Sequence, residues 1–443
     1  MILKKIKIQN FRCFKNYEVN LKAGTTVLIG KNGSGKTSLL NAIRYGLSVF
    51  FSNDSSMGDD LLILGNPDLK VISTDPTDFY REHNADMPSA DLSIGMEASF
   101  NEVPLEWEYY KRSTSGASLF TRKYQEAYRS MMGEYHRSNQ LPLFVFYSDS
   151  FPHVGTKVSD FARTAIKSQD SIIRNFAYYK WSSEVACTSI WQTRFINSLM
   201  KTLSLNDSDA EVVREVEYVK SKLRQFSMPV NTMCEGENEY IIDEFFPVVD
   251  DKSLDLYLRL TNGRDVMFDK LPAGYLRLFS IAFDLAYRLY VLRKDNEEEP
   301  HGIVIIDEVD LHLHPSLEQE VLQRLRNTFP SIQFIVSTHS PLVLSNLRTE
   351  NADNMIYRME EGEECPRAMP DMYGVDYTAA VYDFMETPYA DSDVKEEVEA
   401  IIRLERRGKH SVAEKRREEL REMVSETQYG KLMEEIEKRL ADN

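Results

Sequence analysis

The segment that most constrains this chain of 443 residues is GKNGSGKT, residues 30–37. It matches the phosphate-binding pattern G-x-x-x-x-G-K-[ST], which is informative where a strand precedes it and a helix follows. Both conditions hold, because TTVLI (25–29) is a short apolar run typical of a buried strand and SLLNAIRYGL (38–47) has helical periodicity. A Gly/Ser-rich turn that matched by chance would lack this context. The segment therefore predicts a phosphate-binding loop between a strand and a helix.

The residues of this loop have separate expected roles. Its glycines let backbone N–H groups turn inward, so that they and the helix N-terminus bind the β-phosphate. Lys36 is expected to reach the β and γ oxygens and to take part in catalysis, and Thr37 is expected to ligate Mg²⁺. The predicted nucleotide contacts are Gly30, Asn32, Gly33, Ser34, Gly35, Lys36, Thr37 and Ser38.

A second segment, IVIIDEVD at 303–310, ends in two adjacent carboxylates. Its apolar β-branched run is expected for a central parallel strand that is covered on both faces. Asp307, at the strand end, is placed to hold Mg²⁺ directly or through water. Glu308 is the natural general base for the water that attacks the γ-phosphate. Two acids after a strand are common, so the pair gains its meaning from the phosphate-binding loop.

A third segment, QFIVSTHSP at 333–341, predicts one more buried strand with His339 at its exit. A histidine there can donate to the γ-phosphate or position the attacking water, and so sense the third phosphate. The alternative is a histidine that only caps the strand end. The preceding acidic segment favours the catalytic interpretation.

These motifs resemble those of the ABC-type ATPases of the SMC, RecF and overcoming-lysogenization-defect class. The resemblance rests on DEVDLHLHP (307–315), STHS (337–340) and an N-F-R step in the N-terminal residues 2–21. It covers residues 1–50 and about 254–360 with specific motifs. It implies an α/β ABC-type head with a mixed sheet and flanking helices, a short helical insertion, a C-terminal helical tail, and ATP and Mg²⁺ as cofactors.

In that class the active site is shared between protomers, so the resemblance also implies a homo-oligomer, a dimer or higher. A signature loop of one protomer reaches the γ-phosphate on the other, and LPAG at 271–274 occupies the corresponding position. Ala273 and Gly274 are therefore expected to contact nucleotide in trans. Pro272 replaces the usual serine, which leaves backbone N–H groups and the helix dipole to bind phosphate. Proline is also common at the start of a helix.

The chain is expected to divide into four parts. These are a first ATPase lobe (1–150), a helical insertion (151–235), a second ATPase lobe (236–365) and a C-terminal helical region (366–443). Two helices of roughly 35 residues in the insertion would span about 50 Å, too short for a long coiled-coil arm. The aromatic residues of the insertion favour core packing over a base-stacking surface.

Composition predicts a cytoplasmic protein without membrane contact. No run of about 18 apolar residues or signal-peptide pattern occurs. The cysteines show no metal-binding spacing, which indicates incidental thiols in a reducing compartment. They are Cys13, Cys187, Cys234 and Cys365. A net charge of −17 argues against sequence-blind binding to DNA, which needs a basic surface.

The C-terminal part bears on function. A Y-G-V-D step at 373–376 followed by charged helices resembles the tail of the stand-alone antiphage ATPases of the Septu and PARIS systems. That resemblance implies a sensor and regulatory scaffold that controls a separate nuclease subunit of the HNH or Toprim type. The alternative is an ATPase of the RecF and SMC kind, which binds DNA in an ATP-dependent way during repair and makes nucleic acid a further partner.

A nuclease within this chain is not expected. A Toprim domain needs a D-x-D step after an apolar strand to hold two metals. Residues 391–393 have that spacing but precede a charged helix, where an aspartate is typical of an N-cap. Any cutting is therefore assigned to a separate protein.

Overall fold

The computed structural model describes residues 1–52, 69–82, 90–113, 119–149, 174–182, 188–204, 210–230, 240–249, 254–293, 298–350, 353–375 and 392–441. Two compact units make up the chain, Met1–Val375 and Asp376–Asn443. The sequence predictions on Cys187, Cys234, Asp376 of the Y-G-V-D step and Asp391 fall outside the described residues, as do 151–173, 183–187, 205–209 and 231–235 of the predicted insertion.

Within the described residues, the strands of the first unit form three sheets. They are β1 (Ile2–Phe11), β2 (Phe14–Asn20), β3 (Thr25–Ile29), β4 (Leu92–Phe100), β5 (Val103–Lys111), β6 (Leu143–Tyr147), β7 (Ile242–Val249), β8 (Leu254–Leu260), β9 (Asp265–Met267), β10 (Gly302–Ile306), β11 (Ile332–Ser337), β12 (Met355–Arg358) and β13 (Arg367–Ala368).

The helices of the first unit flank these sheets, and those of the second unit follow it in sequence. They are α1 (Lys36–Ser48), α2 (Gln125–Ser138), α3 (Thr188–Ser204), α4 (Ala210–Ser227), α5 (Ala273–Arg293), α6 (Pro315–Thr328), α7 (Pro341–Ser345), α8 (Ser392–Arg406), α9 (His410–Met423) and α10 (Glu426–Ala441). No helix in the described ranges is long and apolar enough to cross a membrane.

The central sheet has six strands in the order β13-β12-β3-β11-β10-β6. All pairs are parallel except β12 with β13. Every residue of β3, β6, β10 and β11 is buried, as expected for parallel strands that are covered on both faces. The α/β ATPase fold predicted from the motifs is confirmed.

The two smaller sheets are antiparallel, in the orders β2-β1-β4-β5 and β7-β8-β9. The first contacts α1, where the indole Nε1 of Trp107 donates to the carbonyl of Gly46 at 2.8 Å. It is also joined to the central sheet, because the amide of Leu3 donates to the side chain of Gln333 at 2.8 Å. In the second, Asn262 and Gly263 form the turn that joins β8 to β9, with Gly263 in the left-handed region at φ 81°.

Helix α5 is buried along nearly its whole length and carries a buried ion pair between Asp284 and Arg288. The Asp284 carboxylate also accepts from Tyr147 of β6 at 2.7 Å and from the Trp191 indole of α3 at 2.6 Å. The Arg288 guanidinium donates to the carbonyl of Tyr179 at 2.9 Å. A buried pair with its remaining hydrogen bonds satisfied holds its groups in one geometry. This cluster thus joins α5 to the outer strand of the central sheet.

The helical stretch between β6 and β7 contains α3 and α4, and its aromatic residues lie in the core as predicted. The indole of Trp191 stacks on the ring of Tyr287, with centroids 4.9 Å apart and planes 5° apart. The aromatic side chains concerned are all buried: Phe176, Tyr178, Tyr179, Trp181 and Trp191.

The second unit is built from α8, α9 and α10, which confirms the predicted charged helices. Its small core contains Ile401, Leu420 and Ile436. Ion pairs join different helices of the unit, such as Arg416 with Glu397 at 2.5 Å. Helix α8 begins at Ser392, where the sequence predicts a helix start.

Gly302 gives a test of strand packing at the centre of the fold. A Cβ at this position would lie 2.3 Å from the carbonyl oxygen of Leu143 on β6. We expect Gly302→Ala to lower the free energy of unfolding by about 2 kcal/mol or more, because two backbones would have to separate. Gly133→Ala, on the exposed face of α2 with open space around it, should stabilise by up to about 1 kcal/mol. Urea unfolding measures the free energy of unfolding of both variants. Equal changes in this free energy would contradict the close approach of β10 to β6.

Candidate nucleotide-hydrolysis site

The phosphate-binding loop has the backbone that its glycines predict. Gly30 and Gly35 adopt φ values of 149° and 96°, and Gly33 also has a positive φ. A Cβ on Gly30 would lie 2.4 Å from the carbonyl oxygen of Met359, and one on Gly35 would lie 2.8 Å from the ring of Phe14. Both dihedral preference and space therefore require glycine here.

Around these glycines the side chains differ in exposure. Asn32 and Thr37 are exposed, Ser38 is half-buried and Ser34 is buried. Thr37 lies in the first turn of α1, at the helix N-terminus where anions bind. Its exposed hydroxyl is a hard oxygen donor of the kind that Mg²⁺ prefers.

Lys36 is buried, and its ammonium lies within the loop, donating to the carbonyls of Gly30 at 2.8 Å and Lys31 at 3.1 Å. Burial lowers the pKa of Lys36, and the carboxylates of Asp307, Glu308 and Asp310 oppose this shift. The loop and the acidic segment, distant in sequence, therefore face each other in the fold.

Parallel register brings the predicted segments to one edge of the central sheet. Ile306, the last residue of β10, is in register with Val336 on β11 and with Tyr147 on β6. Next along the sheet, β11 pairs with β3, which leads into the phosphate-binding loop. The carboxyl ends of four strands thus converge where ligands bind in parallel α/β sheets.

Asp307 is buried at the end of β10, and Ser337 holds it in place. The Ser337 hydroxyl donates to Asp307 Oδ1 at 2.5 Å and accepts from the amide of Glu308 at 2.8 Å. The amide of Asp307 donates to the carbonyl of Tyr147 at 2.8 Å. Ser337 was not predicted as a site residue, although a polar residue that ends a buried strand just before Thr-His-Ser was a usable signal.

Glu308 has an unusual backbone for a glutamate, with φ 50° in the left-handed region. A non-glycine residue there is strained, and such strain clusters at functional sites. Burial raises the pKa of the Glu308 carboxyl, the Asp307 charge raises it further, and the nearby His339 opposes the shift. Glu308 therefore keeps its proton to a higher pH than an ordinary glutamate, which is the direction required of a general base.

Two further side chains act on Glu308 from neighbouring strand exits. His339 follows β11 and is half-buried, and its effect on the Glu308 pKa places it near that carboxylate. Asp149, which is exposed after β6, raises the same pKa. Asp149 was missed in the sequence, where only the apolar run of 143–147 followed by polar residues pointed to it.

The signature-like residues Ala273 and Gly274 begin α5, as predicted. Helical hydrogen bonding starts at Pro272, whose carbonyl accepts from the amide of Leu276 at 2.9 Å. A Cβ on Gly274 would lie 2.6 Å from the carbonyl oxygen of His312, so the start of α5 packs on the loop that follows Glu308. A contact of Ala273 and Gly274 with nucleotide on a second protomer stays a prediction.

The oxygen atoms available for Mg²⁺ at this site are those of a nucleotide-bound ion, which is coordinated partly by phosphate. In the described part of the chain, no group of three or more His, Cys, Asp or Glu side chains could hold a metal ion. Mg²⁺ usually takes one or two protein oxygens and completes its shell with phosphate oxygens and water. The Thr37 hydroxyl and the Asp307 carboxylate fit that pattern.

Comparisons with known proteins show that this chain is similar to ATPases. One family model, described as "AAA ATPase domain", matches residues 1–100, and a second, "AAA domain, putative AbiEii toxin, Type IV TA system", matches residues 141–345. Together they include the phosphate-binding loop, the Asp307–Glu308 pair and His339. The resemblance to ATPases of the SMC and RecF class is confirmed.

Three relatives cover most of this chain. "Retron Vc95 probable ATPase" of Vibrio cholerae serotype O1 biovar El Tor is 26% identical over 79% of this chain and 72% of its own length. "Septu protein PtuA" of Bacillus mycoides is 24% identical over 78% of this chain and 39% of its own length. "DNA replication and repair protein RecF" of Shewanella putrefaciens is 24% identical over 82% of this chain and 98% of its own length.

The hydroxyl of Ser337 can be tested without any assumption about activity. Ser337→Ala leaves the Asp307 carboxylate and the Glu308 amide without this partner, and we expect a loss of about 1–3 kcal/mol in the free energy of unfolding. Ser221→Ala, which removes an exposed bond to the Tyr218 carbonyl, should change it by less than about 0.5 kcal/mol. Denaturant titration of the two variants compares them, and equal stability would refute the bridge.

Proposed function

We propose that this chain binds ATP with Mg²⁺, hydrolyses it to ADP and phosphate, and is the nucleotide-controlled regulatory scaffold of an antiphage defence complex. A separate nuclease subunit of the HNH or Toprim type would cut nucleic acid. The observation that carries the ATPase part is the convergence of Lys36, Asp307, Glu308 and His339 at the exits of adjacent parallel strands. The defence part is supported by the relatives named as a retron ATPase and as a Septu protein.

Each site residue has a distinct proposed task. Lys36 and the loop amides would bind the β- and γ-phosphates, and Thr37 and Asp307 would hold Mg²⁺, which would neutralise charge on the phosphate oxygens. Glu308 accepts a proton from the water that attacks the γ-phosphorus, while the bond to the bridging oxygen of ADP breaks. His339 orients that water or the γ-phosphate.

The alternative function is that of a RecF- or SMC-like repair ATPase that binds DNA when ATP is bound. Its support is the match to a RecF protein over nearly that protein's full length. Against it stands the net charge of −17, because DNA binding is dominated by basic contacts to phosphate. We therefore favour the defence role.

The catalytic assignment predicts a separation of binding from turnover. Glu308→Gln should keep ATP affinity and lower kcat at least about 100-fold, because no base remains to take the proton of water. His339→Ala should lower kcat with affinity largely kept, and Lys36→Ala should abolish binding. Fluorescent-nucleotide titration and phosphate release measure the two quantities. Glu217→Gln, an exposed carboxylate away from the site, is the control, and wild-type turnover in the Glu308 variant would remove Glu308 as the base.

The two biological roles can be separated with a phage challenge and a DNA-binding assay. Cells that express this chain together with its proposed nuclease partner should resist phage, whereas cells with this chain alone, or with Lys36→Ala in the pair, should not. The purified chain should show no ATP-dependent change in fluorescence anisotropy of labelled duplex DNA at physiological salt. Resistance without the nuclease partner would contradict the separate nuclease, and ATP-dependent DNA binding by the chain alone would favour the repair role.

A further inference from the structure

Arg277 lies on α5, one turn after Gly274, and its side chain is among the largest that are fully buried, with 1% of its surface exposed. The sequence of α5 reads as an ordinary amphipathic helix at this position. Burial lowers the pKa of the Arg277 guanidinium, and the charges of Asp149, Asp310, Glu308 and Asp307 oppose that shift. An arginine keeps its charge under such conditions, so a buried cation faces the hydrolytic site from α5.

The guanidinium joins the ends of two strands. Nη2 donates to the carbonyl of Asp307 at 2.9 Å and to that of Glu308 at 3.1 Å, which are the first two residues after β10. Nη1 donates to the carbonyl of Asp149 after β6 at 2.9 Å. The planar guanidinium of an arginine has five N–H donors in a fixed fork, so it can bind several carbonyl oxygens at once. A lysine ammonium has three donors on one compact nitrogen and cannot span the same set of carbonyls.

These carbonyls belong to the peptide units that orient the proposed metal ligand and general base. Glu308 holds its strained φ of 50°, and its carbonyl accepts both from Arg277 and from the amide of Leu311 at 3.1 Å. One turn earlier on α5, Gly274 packs on the carbonyl of His312. The first turns of α5 therefore contact both ends of the segment 307–312.

We propose that Arg277 is a positioning residue that ties the start of α5 to the backbone of Asp307 and Glu308. Through it, the position of the signature-like loop sets the orientation of the Glu308 carboxylate. The inference rests on the proposed function, since it concerns the same hydrolytic site. Arg277 would not touch nucleotide, and would act on turnover rather than on affinity.

Arg288 offers a matched control on the same helix. It is equally buried, with 2% of its surface exposed, and also donates to main-chain carbonyls, but those belong to Ala177 and Tyr179 in the core. The variants Arg277→Lys and Arg288→Lys keep the charge and lose the planar fork, so a general loss of packing should affect both. Only Arg277→Lys should disturb the backbone of Asp307 and Glu308.

The test combines kinetics with amide exchange on the full chain. Arg277→Lys should lower kcat about 10- to 100-fold with the Kd for ATP within about 3-fold, because a small displacement of the base has that effect on turnover. Arg288→Lys should lower Tm at least as much and leave kcat within about 3-fold. Hydrogen exchange by mass spectrometry should be faster in residues 302–314 for Arg277→Lys only.

The outcomes distinguish this inference from the proposed function. If wild-type protein does not hydrolyse ATP, the proposed function fails, and the exchange of residues 302–314 still decides whether Arg277 orders that backbone. The inference is overturned if this exchange is the same in the two lysine variants. It is also overturned if kcat falls equally in both, or if ATP affinity falls in parallel with kcat.

Discussion

The parallel register around β10 is the constraint on which the rest of this structure depends. Because Ile306 is level with Val336 on one side and Tyr147 on the other, three strands end together, and β3 adds the phosphate-binding loop to the same edge. A shift of one residue would turn every side chain of β10 to the opposite face of the sheet. The arrangement of the predicted site residues is thus a consequence of sheet pairing, and the close approach of β10 to β6 at Gly302 is part of that pairing.

The parts of the site that could be predicted are those with local signals. A glycine-rich loop, an apolar run ending in acids and a strand ending at His339 each carry their pattern within about ten residues, so the sequence indicates them directly. The missed residues depend on pairing between distant strands. Ser337 matters because its hydroxyl reaches across to Asp307, and Asp149 matters because β6 happens to be the neighbour of β10. Arg277 could not be told from a surface arginine, because a helix pattern does not show which charged residue faces a strand end.

The charges at this edge bear on how the site would take up a nucleotide. Three carboxylates, those of Asp307, Glu308 and Asp310, act on Lys36, and Asp149 adds a fourth near Glu308. A nucleoside triphosphate brings more negative charge to the same place. Positive charge must therefore compensate the repulsion if the nucleotide is to bind. In the proposed function, Lys36, the amides at the start of α1 and a divalent cation held by Thr37 and Asp307 would meet that need. Nucleotide affinity should therefore depend strongly on the cation, while the carboxylates keep the Glu308 pKa high.

The strained backbone of Glu308 connects this chemistry to control. A left-handed glutamate costs on the order of 1–3 kcal/mol and persists only when its surroundings hold it in place. The holding contacts come from different elements: Ser337 of β11 binds its amide, while Leu311 in the following turn and Arg277 of α5 bind its carbonyl. Because several elements hold Glu308, a movement of any one of these elements would change its orientation. Helix α5 is one of them, and it begins at the signature-like loop. The proposed regulatory role requires hydrolysis to follow assembly rather than to run freely, and the proposed dependence of the Glu308 orientation on α5 provides a physical route to that control.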